Sequence, residues 1–254
     1  MILNSRIIGS SNKKIIILHG LLGSLDNWIT FGKKLSLKDY EVHLIDQRNH
    51  GKSFHSDEFS YNHMATDLKV YIDYHNIESA SIIGHSMGGK TAMLFSLIYP
   101  DYVNRLIVVD ILPIGYNKDY NLIFDSLSKA DLNRINSRSD FNLHLKKYFK
   151  EDSFILFLSK NLKRSNDGKF SFKPNIKVLQ KEINNITGEI NYGNTYRKEI
   201  IFIKGEYSDY IDEVNLKLSQ KLFPKYKLSV VKSAGHWLHH DNFDEFFSIC
   251  IRNL

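Results

Sequence analysis

Short apolar runs and amphipathic segments alternate along the first part of the chain. The runs occupy residues 15–18, 42–45, 81–83 and 106–109, and a His-Gly pair, an aspartate or a glycine follows each one directly. A continuous apolar run that is bounded in this way is typical of a strand buried on both faces. These four runs are therefore predicted to be strands of one sheet.

Helical spacing appears between and after these runs. Tyr61, Met64, Ala65 and Leu68 recur at the spacing of an amphipathic helix. Residues 91–99 are largely apolar on all sides, which predicts a buried helix, and the following proline ends it. Strand and helix therefore alternate, which predicts an α/β fold with a mostly parallel sheet and helices on both faces.

The alternation stops after the fourth run and resumes about 80 residues later. Residues 113–196 are polar, carry scattered phenylalanines and leucines, and contain a turn pattern at 166–169. The alternation of strand and helix then resumes, with predicted strands at 200–203 and 228–231 and predicted helices at 213–222 and 243–251. We expect residues 1–112 and 197–254 to form the core domain and residues 113–196 to form an inserted, mostly helical cap, or lid.

Composition narrows the class of protein. The chain has 254 residues, 43% hydrophobic and 24% charged, which suits one soluble domain with an insertion. Its net charge of +6 is scattered without a long basic run, so no nucleic-acid partner is predicted. The chain has one cysteine and no apolar stretch of membrane-spanning length, and residues 1–10 do not predict a secretory signal. A cytoplasmic monomer or homodimer without stable membrane insertion is expected.

The most informative motif is Gly84-His85-Ser86-Met87-Gly88, which follows a predicted strand and precedes a buried helix. The pattern G-x-S-x-G is short, but this strand–turn–helix context makes it specific for a nucleophile elbow. An abrupt turn from strand to helix strains the central residue and needs glycines two positions away. It also raises the serine hydroxyl at the carboxyl edge of the sheet, where ligands bind. Ser86 is therefore the predicted nucleophile.

Acyl transfer through a serine also needs hydrogen-bond donors for the negative oxygen of the tetrahedral intermediate. The N–H of Met87, directly after the nucleophile, is predicted to be one donor of this oxyanion hole. The other is expected from the loop after an earlier strand, and residues 19–24 form such a glycine-containing loop. The N–H of Leu21 is the predicted second donor.

The catalytic base should follow the serine in the chain and lie in the loop after the last strand. His236 meets both conditions. Its spacing from His239 and His240 also resembles part of a metal site, but no further ligands follow in a recognisable pattern. No metal and no cofactor are predicted.

Two aspartates are candidates for the acid that orients the base. Asp110 directly follows the run at 106–109, and Asp209 follows the strand at 200–203 through a short loop. Asp46 also ends a strand but precedes the serine. The residues alone leave Asp110 and Asp209 open.

These motifs together resemble those of the small YbfF-type esterases of bacteria and the eukaryotic abhydrolase-domain-11 proteins. The resemblance extends over nearly the whole chain. It implies an α/β-hydrolase fold, hydrolysis of carboxylic esters or acyl thioesters without a metal or organic cofactor, and Asp110 rather than Asp209 as the acid. The residues that carry it are His19-Gly20, Gly23-Ser24, Asn27-Trp28, 46–51, Ser53, Met64-Ala65, 84–93, 109–111, Pro113 and 234–239.

The leading hypothesis is a serine esterase or thioesterase that acts on a small-molecule ester or thioester, with acyl-CoA among the candidates. The alternatives are a carbon–carbon bond hydrolase or a perhydrolase with the same triad, and a non-catalytic ligand-binding protein of this fold. Dehalogenase and epoxide-hydrolase chemistry is disfavoured because it usually needs an aspartate at the position of Ser86.

Overall fold

Seven strands form one central sheet in the computed structural model, which describes residues 1–254. The nine strands of the chain are β1 (Ser5–Ile8), β2 (Lys14–Leu18), β3 (Glu41–Ile45), β4 (Ala80–His85), β5 (Val103–Val109), β6 (Leu162–Arg164), β7 (Phe170–Phe172), β8 (Ile200–Gly205) and β9 (Tyr226–Val231). The order in the central sheet is β1-β3-β2-β4-β5-β8-β9, and every neighbouring pair is parallel except β1 and β3. The two remaining strands, β6 and β7, form a separate antiparallel hairpin.

Helices cover both faces of the sheet, as the apolar runs predicted. In β2, Ile16 and Leu18 belong to one buried apolar cluster, whereas Ile15 and Ile17 belong to the other. Successive side chains of a strand point to opposite faces, so an all-apolar strand supplies two cores at once. The helices are α1 (Ile29–Ser36), α2 (Tyr61–Tyr74), α3 (Met87–Ile98), α4 (Asn121–Ser128), α5 (Arg138–Leu145), α6 (Asp152–Ser159), α7 (Ile176–Lys181), α8 (Ile183–Thr187), α9 (Glu213–Ser219), α10 (Leu238–Asp241) and α11 (Phe243–Asn253).

The segment between β5 and β8 holds α4 to α8 and the β6–β7 hairpin. Helices were expected here, and the hairpin was not. Its strands have three residues each, which is too short for an alternating pattern to stand out in the sequence. Gly168 lies in the connecting turn with φ of +85°, as the turn pattern at 166–169 indicated.

The structure differs from the prediction in two further elements, β1 and α3. The edge strand β1 was not predicted, because it is short and only partly buried. Helix α3 begins at Met87 rather than near residue 91, because Gly88 and Gly89 hide its first turn from a pattern of apolar positions. None of the helices is both long enough and apolar enough to cross a membrane.

Candidate active site

Ser86 occupies a strained turn between β4 and α3. Its φ of 53° and ψ of −118° lie outside the regions that residues with a Cβ normally adopt. The Ser86 N–H donates to the carbonyl of Val109 in β5, which fixes the turn against the sheet. Strain of this kind persists only where the surrounding structure holds it, and it is concentrated at functional sites.

Close backbone contacts explain the glycines of the motif. A Cβ on Gly84 would lie 2.3 Å from the carbonyl oxygen of Gly88, and a Cβ on Gly88 would lie 2.4 Å from that of Leu18. Both distances are far shorter than a carbon–oxygen contact allows. The first turn of α3 therefore packs directly against the backbone of β4 and the end of β2.

The loop after β2 lies beside this turn. A Cβ on Gly20 would be 3.3 Å from Ser86 Cβ, so the loop backbone is close to the serine. The N–H of Leu21 has no acceptor within the protein. The N–H of Met87 belongs to the first turn of α3, whose N–H groups lack intrahelical acceptors. Leu21, Met87 and Ser86 line one small pocket together.

Two buried histidines hold the loop in this position. His50 Nε2 accepts from the N–H of Leu22 at 3.1 Å, and His19 Nε2 accepts from the N–H of Gln47 at 3.0 Å. Burial lowers the pKa of His19 to about 4 and that of His50 to about 3. Both imidazoles are therefore neutral near pH 7, as a ring nitrogen that accepts a hydrogen bond requires.

His236 lies in the loop after β9, and its ring is fixed from two sides. Its Nδ1 is 2.8 Å from Asp110 Oδ2, and its ring stacks on Tyr210 with centroids 4.0 Å apart. The backbone carbonyl of His236 accepts from Nε2 of buried His85 at 2.8 Å. A proton held on Nδ1 by the carboxylate leaves Nε2 free to act as a base.

Asp110 and Asp209 lie in opposite environments. Asp110 is fully buried at the end of β5, and its Oδ1 accepts from the N–H of Gly205 at 3.1 Å. The carboxylate of Asp209 is 75% exposed and pairs with Lys118, whose ammonium group holds the pKa of Asp209 below its usual value. The structure thus brings Asp110, and not Asp209, to His236.

Ser208 is a site residue that the sequence analysis missed. Its hydroxyl donates to the same Asp110 oxygen that faces His236. No motif marks this serine in the sequence. Its contact with Asp110 arises only because β5 and β8 are neighbours in the sheet.

Ser86 and His236 face one cavity of about 270 Å³. No hydrogen bond joins their side chains, and catalytic hydrogen bonds of this type often shorten only when substrate binds. The segment between β5 and β8 supplies much of the apolar wall. The residues it contributes are Tyr120, Ile123, Phe154, Phe157 and Leu158, and they face Trp28 and Trp237 from the core.

The three histidines considered as part of a metal site do not converge. His239 is buried and stacks on Trp28 with centroids 4.3 Å apart, and burial lowers its pKa to about 3. The side chain of His240 is 70% exposed. No group of three or more histidine, cysteine, aspartate or glutamate side chains in the chain is arranged to hold a metal ion.

Comparison with known proteins agrees with this architecture. Residues 13–243 match the family model described as alpha/beta hydrolase fold. Among solved structures, a marine microorganism esterase superposes with a TM-score of 0.96 at 40% identity, covering 100% of this chain and 99% of its own.

Two curated relatives extend the comparison. The esterase YbfF of Escherichia coli is 31% identical over 92% of this chain and 90% of its own length. The sn-1-specific diacylglycerol lipase ABHD11 of Danio rerio is 33% identical over 94% of this chain and 78% of its own length.

Proposed function

The chain belongs to the α/β-hydrolase family and is a carboxylic ester hydrolase, and we propose that it works through an acyl-enzyme on Ser86. The observation that carries this proposal is the arrangement of Ser86, His236 and Asp110. The serine is held in a strained elbow, the histidine lines the same cavity, and the buried aspartate bonds to Nδ1 of the histidine.

In the first half of the reaction, His236 Nε2 takes the hydroxyl proton of Ser86 while Oγ bonds to the acyl carbon. The tetrahedral intermediate then collapses, the bond to the leaving oxygen or sulfur breaks, and His236 gives the proton to that atom. In the second half, water loses a proton to His236 and attacks the acyl carbon. The acid leaves, and the hydroxyl of Ser86 is restored.

Two backbone groups are proposed to stabilise the oxyanion. The N–H of Leu21 has no acceptor in the protein, and the N–H of Met87 is at the positive end of the α3 dipole. Both border the pocket at Ser86. Donors fixed before the reaction act without reorganisation, and each contributes ~10²–10³ in rate.

We propose that residues 113–196 form the cap and select the substrate. Support comes from the apolar side chains that this segment adds to the cavity, among them Phe154 and Phe157. A small-molecule ester or thioester with an apolar portion fits such a wall. The names of the relatives, an esterase and a diacylglycerol lipase, agree with ester substrates.

The test is hydrolysis of p-nitrophenyl esters by Ser86→Ala. Turnover is expected to fall by at least ~10³-fold, since the nucleophile is lost and only binding and the oxyanion hole remain. Ser96→Ala is the matched control, because Ser96 is buried in the same helix and its hydroxyl bonds only to Met93 O. A Ser86→Ala enzyme within tenfold of the wild type would refute the mechanism.

A fluorophosphonate probe separates this proposal from a non-catalytic binding protein. The probe should label the wild-type chain at Ser86 and leave Ser86→Ala unlabelled, because only an activated serine attacks phosphorus. An unlabelled wild-type chain that also fails to cleave esters would favour the binding protein.

A further inference from the structure

Lys90 is a buried, charged side chain that the proposed mechanism does not use. It lies one helical turn after Ser86 in α3, and its backbone N–H donates to the carbonyl of Ser86 at 3.1 Å. The residue is 1% exposed. A buried charge is costly unless its hydrogen-bond donors are satisfied, so the partners of this ammonium group are informative.

The partners of Lys90 are backbone carbonyls from two separate parts of the chain. Its Nζ donates to Ile114 O at 2.7 Å, to Thr187 O at 3.1 Å and to Gly188 O. All three protons of the ammonium group therefore have acceptors. Hydrogen bonds from a charged donor are stronger than those between neutral groups. Ile114 lies at the start of the segment proposed as the cap, and Thr187 and Gly188 lie near its end.

The start and the end of this segment also bond to each other. The N–H of Tyr116 donates to Thr187 O at 2.9 Å, the same carbonyl that Lys90 binds. We name these two stretches, residues 113–116 and 186–190, the cap stem. Lys90 therefore attaches the cap stem to the helix that begins beside the nucleophile.

The cap stem is connected to His236 through two tyrosines. The Nζ of Lys90 lies 5.0 Å from the ring centroid of Tyr116. Tyr116 Oη donates to Tyr210 O at 2.8 Å and accepts from the N–H of Leu112 at 2.8 Å, so its hydroxyl is fixed from two sides. The ring of Tyr210 stacks on that of His236 with centroids 4.0 Å apart. A continuous set of contacts thus runs from Lys90 to the catalytic base.

We infer that Lys90 is a positioning residue that keeps Ser86 and His236 in register. It belongs to the same helical turn as the serine, and through Tyr116 and Tyr210 its contacts reach the histidine. The inference rests on the proposed function, in which His236 takes the proton of Ser86. No hydrogen bond joins these two side chains directly, so their alignment depends on the elements that carry them. A misplacement of ~1 Å can cost ~10²-fold in rate.

The first test is the turnover of p-nitrophenyl acetate by Lys90→Met. This variant keeps an unbranched side chain of similar length but removes the three donors. We expect kcat per active site to fall at least tenfold, with KM within threefold of the wild-type value. Active sites are counted by complete titration with a fluorophosphonate, so that misfolded molecules do not enter kcat. A merely structural role of Lys90 would lower the number of active sites and leave kcat per site unchanged.

Tyr116→Phe tests the route from the cap stem to His236. It removes the hydrogen bond to Tyr210 and retains the ammonium group of Lys90. We expect kcat per site to fall at least fivefold, and the double variant Lys90→Met/Tyr116→Phe to lie within twofold of the slower single variant, because both changes break one set of contacts. A fall in Lys90→Met alone would mean that the ammonium group acts directly on the oxyanion, and it would overturn the inference. Effects that multiply in the double variant would also overturn it.

Lys198→Met and Tyr71→Phe are the matched controls. Lys198 Nζ also donates to two backbone carbonyls, those of Pro100 and Val103, but these lie at the start of β5, remote from the site. Tyr71 is a buried tyrosine whose hydroxyl bonds to His43 at 2.8 Å. Both controls should keep kcat per site within twofold. A tenfold loss in either control would overturn a specific role of Lys90.

Hydrogen exchange at the cap stem gives a readout that is independent of ester hydrolysis. The N–H of Ile190 donates to Pro113 O at 2.8 Å within the stem. The amides of Tyr116 and Ile190 should exchange at least tenfold faster in Lys90→Met than in the wild type or in Lys198→Met. Unchanged exchange together with kcat within threefold of the wild type would overturn the inference. A wild-type chain that neither cleaves the ester nor reacts with the fluorophosphonate would instead refute the proposed function.

Discussion

Asp110 and Asp209 both follow strands at the same edge of the sheet, yet their carboxylates lie in different environments. Asp110 accepts from His236, Gly205 and Ser208 in a fully buried position. A buried carboxylate with several donors can stabilise the imidazolium that forms during catalysis. The exposed ion pair of Asp209 with Lys118 contributes little by comparison.

The substitutions Asp110→Asn and Asp209→Asn test this difference. Asp110→Asn should lower kcat by up to ~10⁴-fold, because an amide cannot hold the proton on Nδ1 or balance the imidazolium charge. Asp209→Asn should keep kcat within about threefold, since a surface pair is worth ~0–1 kcal/mol. Steady-state kinetics on one p-nitrophenyl ester measures both. A crippled Asp209→Asn enzyme beside an active Asp110→Asn enzyme would reverse the assignment.

Ser208 is expected to act through Asp110. Ser208→Ala removes one donor from the oxygen that faces His236, and the remaining Gly205 donor binds the other oxygen. We expect kcat to fall by ~10- to 100-fold with KM nearly unchanged, since a hydrogen bond to a charged group contributes ~1.5–3 kcal/mol. Ser208→Thr, which keeps a hydroxyl, should recover most of the activity. A change confined to KM would argue against a positioning role.

The residues of the site differ in how far the sequence reveals them. Ser86 could be predicted from its motif, because the tight turn around it requires glycines at fixed positions and these are visible in the sequence. His236 follows from its place after the last strand. Ser208 could not be predicted, because nothing near it in the chain indicates that β8 lies beside β5. The residues alone left Asp110 and Asp209 open, and only the resemblance to a known family favoured Asp110.

Among the elements, the turn from β4 to α3 depends closely on its exact backbone. Gly88 packs so closely that a Cβ would meet the carbonyl oxygens of both Leu18 and His19. Gly88→Ala should therefore move α3 away from β2, cost ~1–3 kcal/mol or more of unfolding free energy, and abolish ester hydrolysis. Urea unfolding and kinetics measure the two effects.

Gly193→Ala is the matched control for this prediction. A Cβ at Gly193 would meet nothing within 4 Å, so stability and activity should both remain. Full activity in Gly88→Ala would show that the elbow tolerates a side chain. The oxyanion site would then not depend on this close contact.

The elements themselves were largely predictable, for a physical reason. Strands buried on both faces are continuous apolar runs, and β2, β3, β4, β5 and β8 were found in this way. The edge strand β9 was also predicted, although Leu228 and Val230 are exposed. The exceptions are elements that bury little, namely β1 and the β6–β7 hairpin. Phe170 and Phe172 of β7 are only partly buried, and a strand of three residues is too short to show a clear alternation of apolar and polar positions.

At the scale of the whole molecule, the site is surrounded by buried histidines that are uncharged near neutral pH. His19, His50, His85 and His239 are all buried, and burial lowers the pKa of each of them. His19 and His50 hold the loop that carries Leu21, and His85 holds the backbone of His236. Protonation of these histidines at low pH should therefore disturb the geometry of the site and lower the free energy of unfolding at the same time.

The direction of that response follows from where protons bind. An unfolded histidine binds a proton near pH 6.5, whereas folded His19 does so only at about pH 4. Between these values the unfolded chain holds more protons, so the free energy of unfolding falls as the pH falls. For His19 alone the loss of unfolding free energy by pH 4.5 is roughly 2 kcal/mol.

Urea unfolding at pH 7.5, 5.5 and 4.5 should show a steep decrease of the free energy of unfolding in the wild type. His19→Gln should show a smaller decrease because one titrating group is gone. His63→Gln is the control for the exchange of histidine for glutamine, since the side chain of His63 is 44% exposed on α2. Equal pH dependence in the wild type and His19→Gln would mean that His19 is not held neutral by burial.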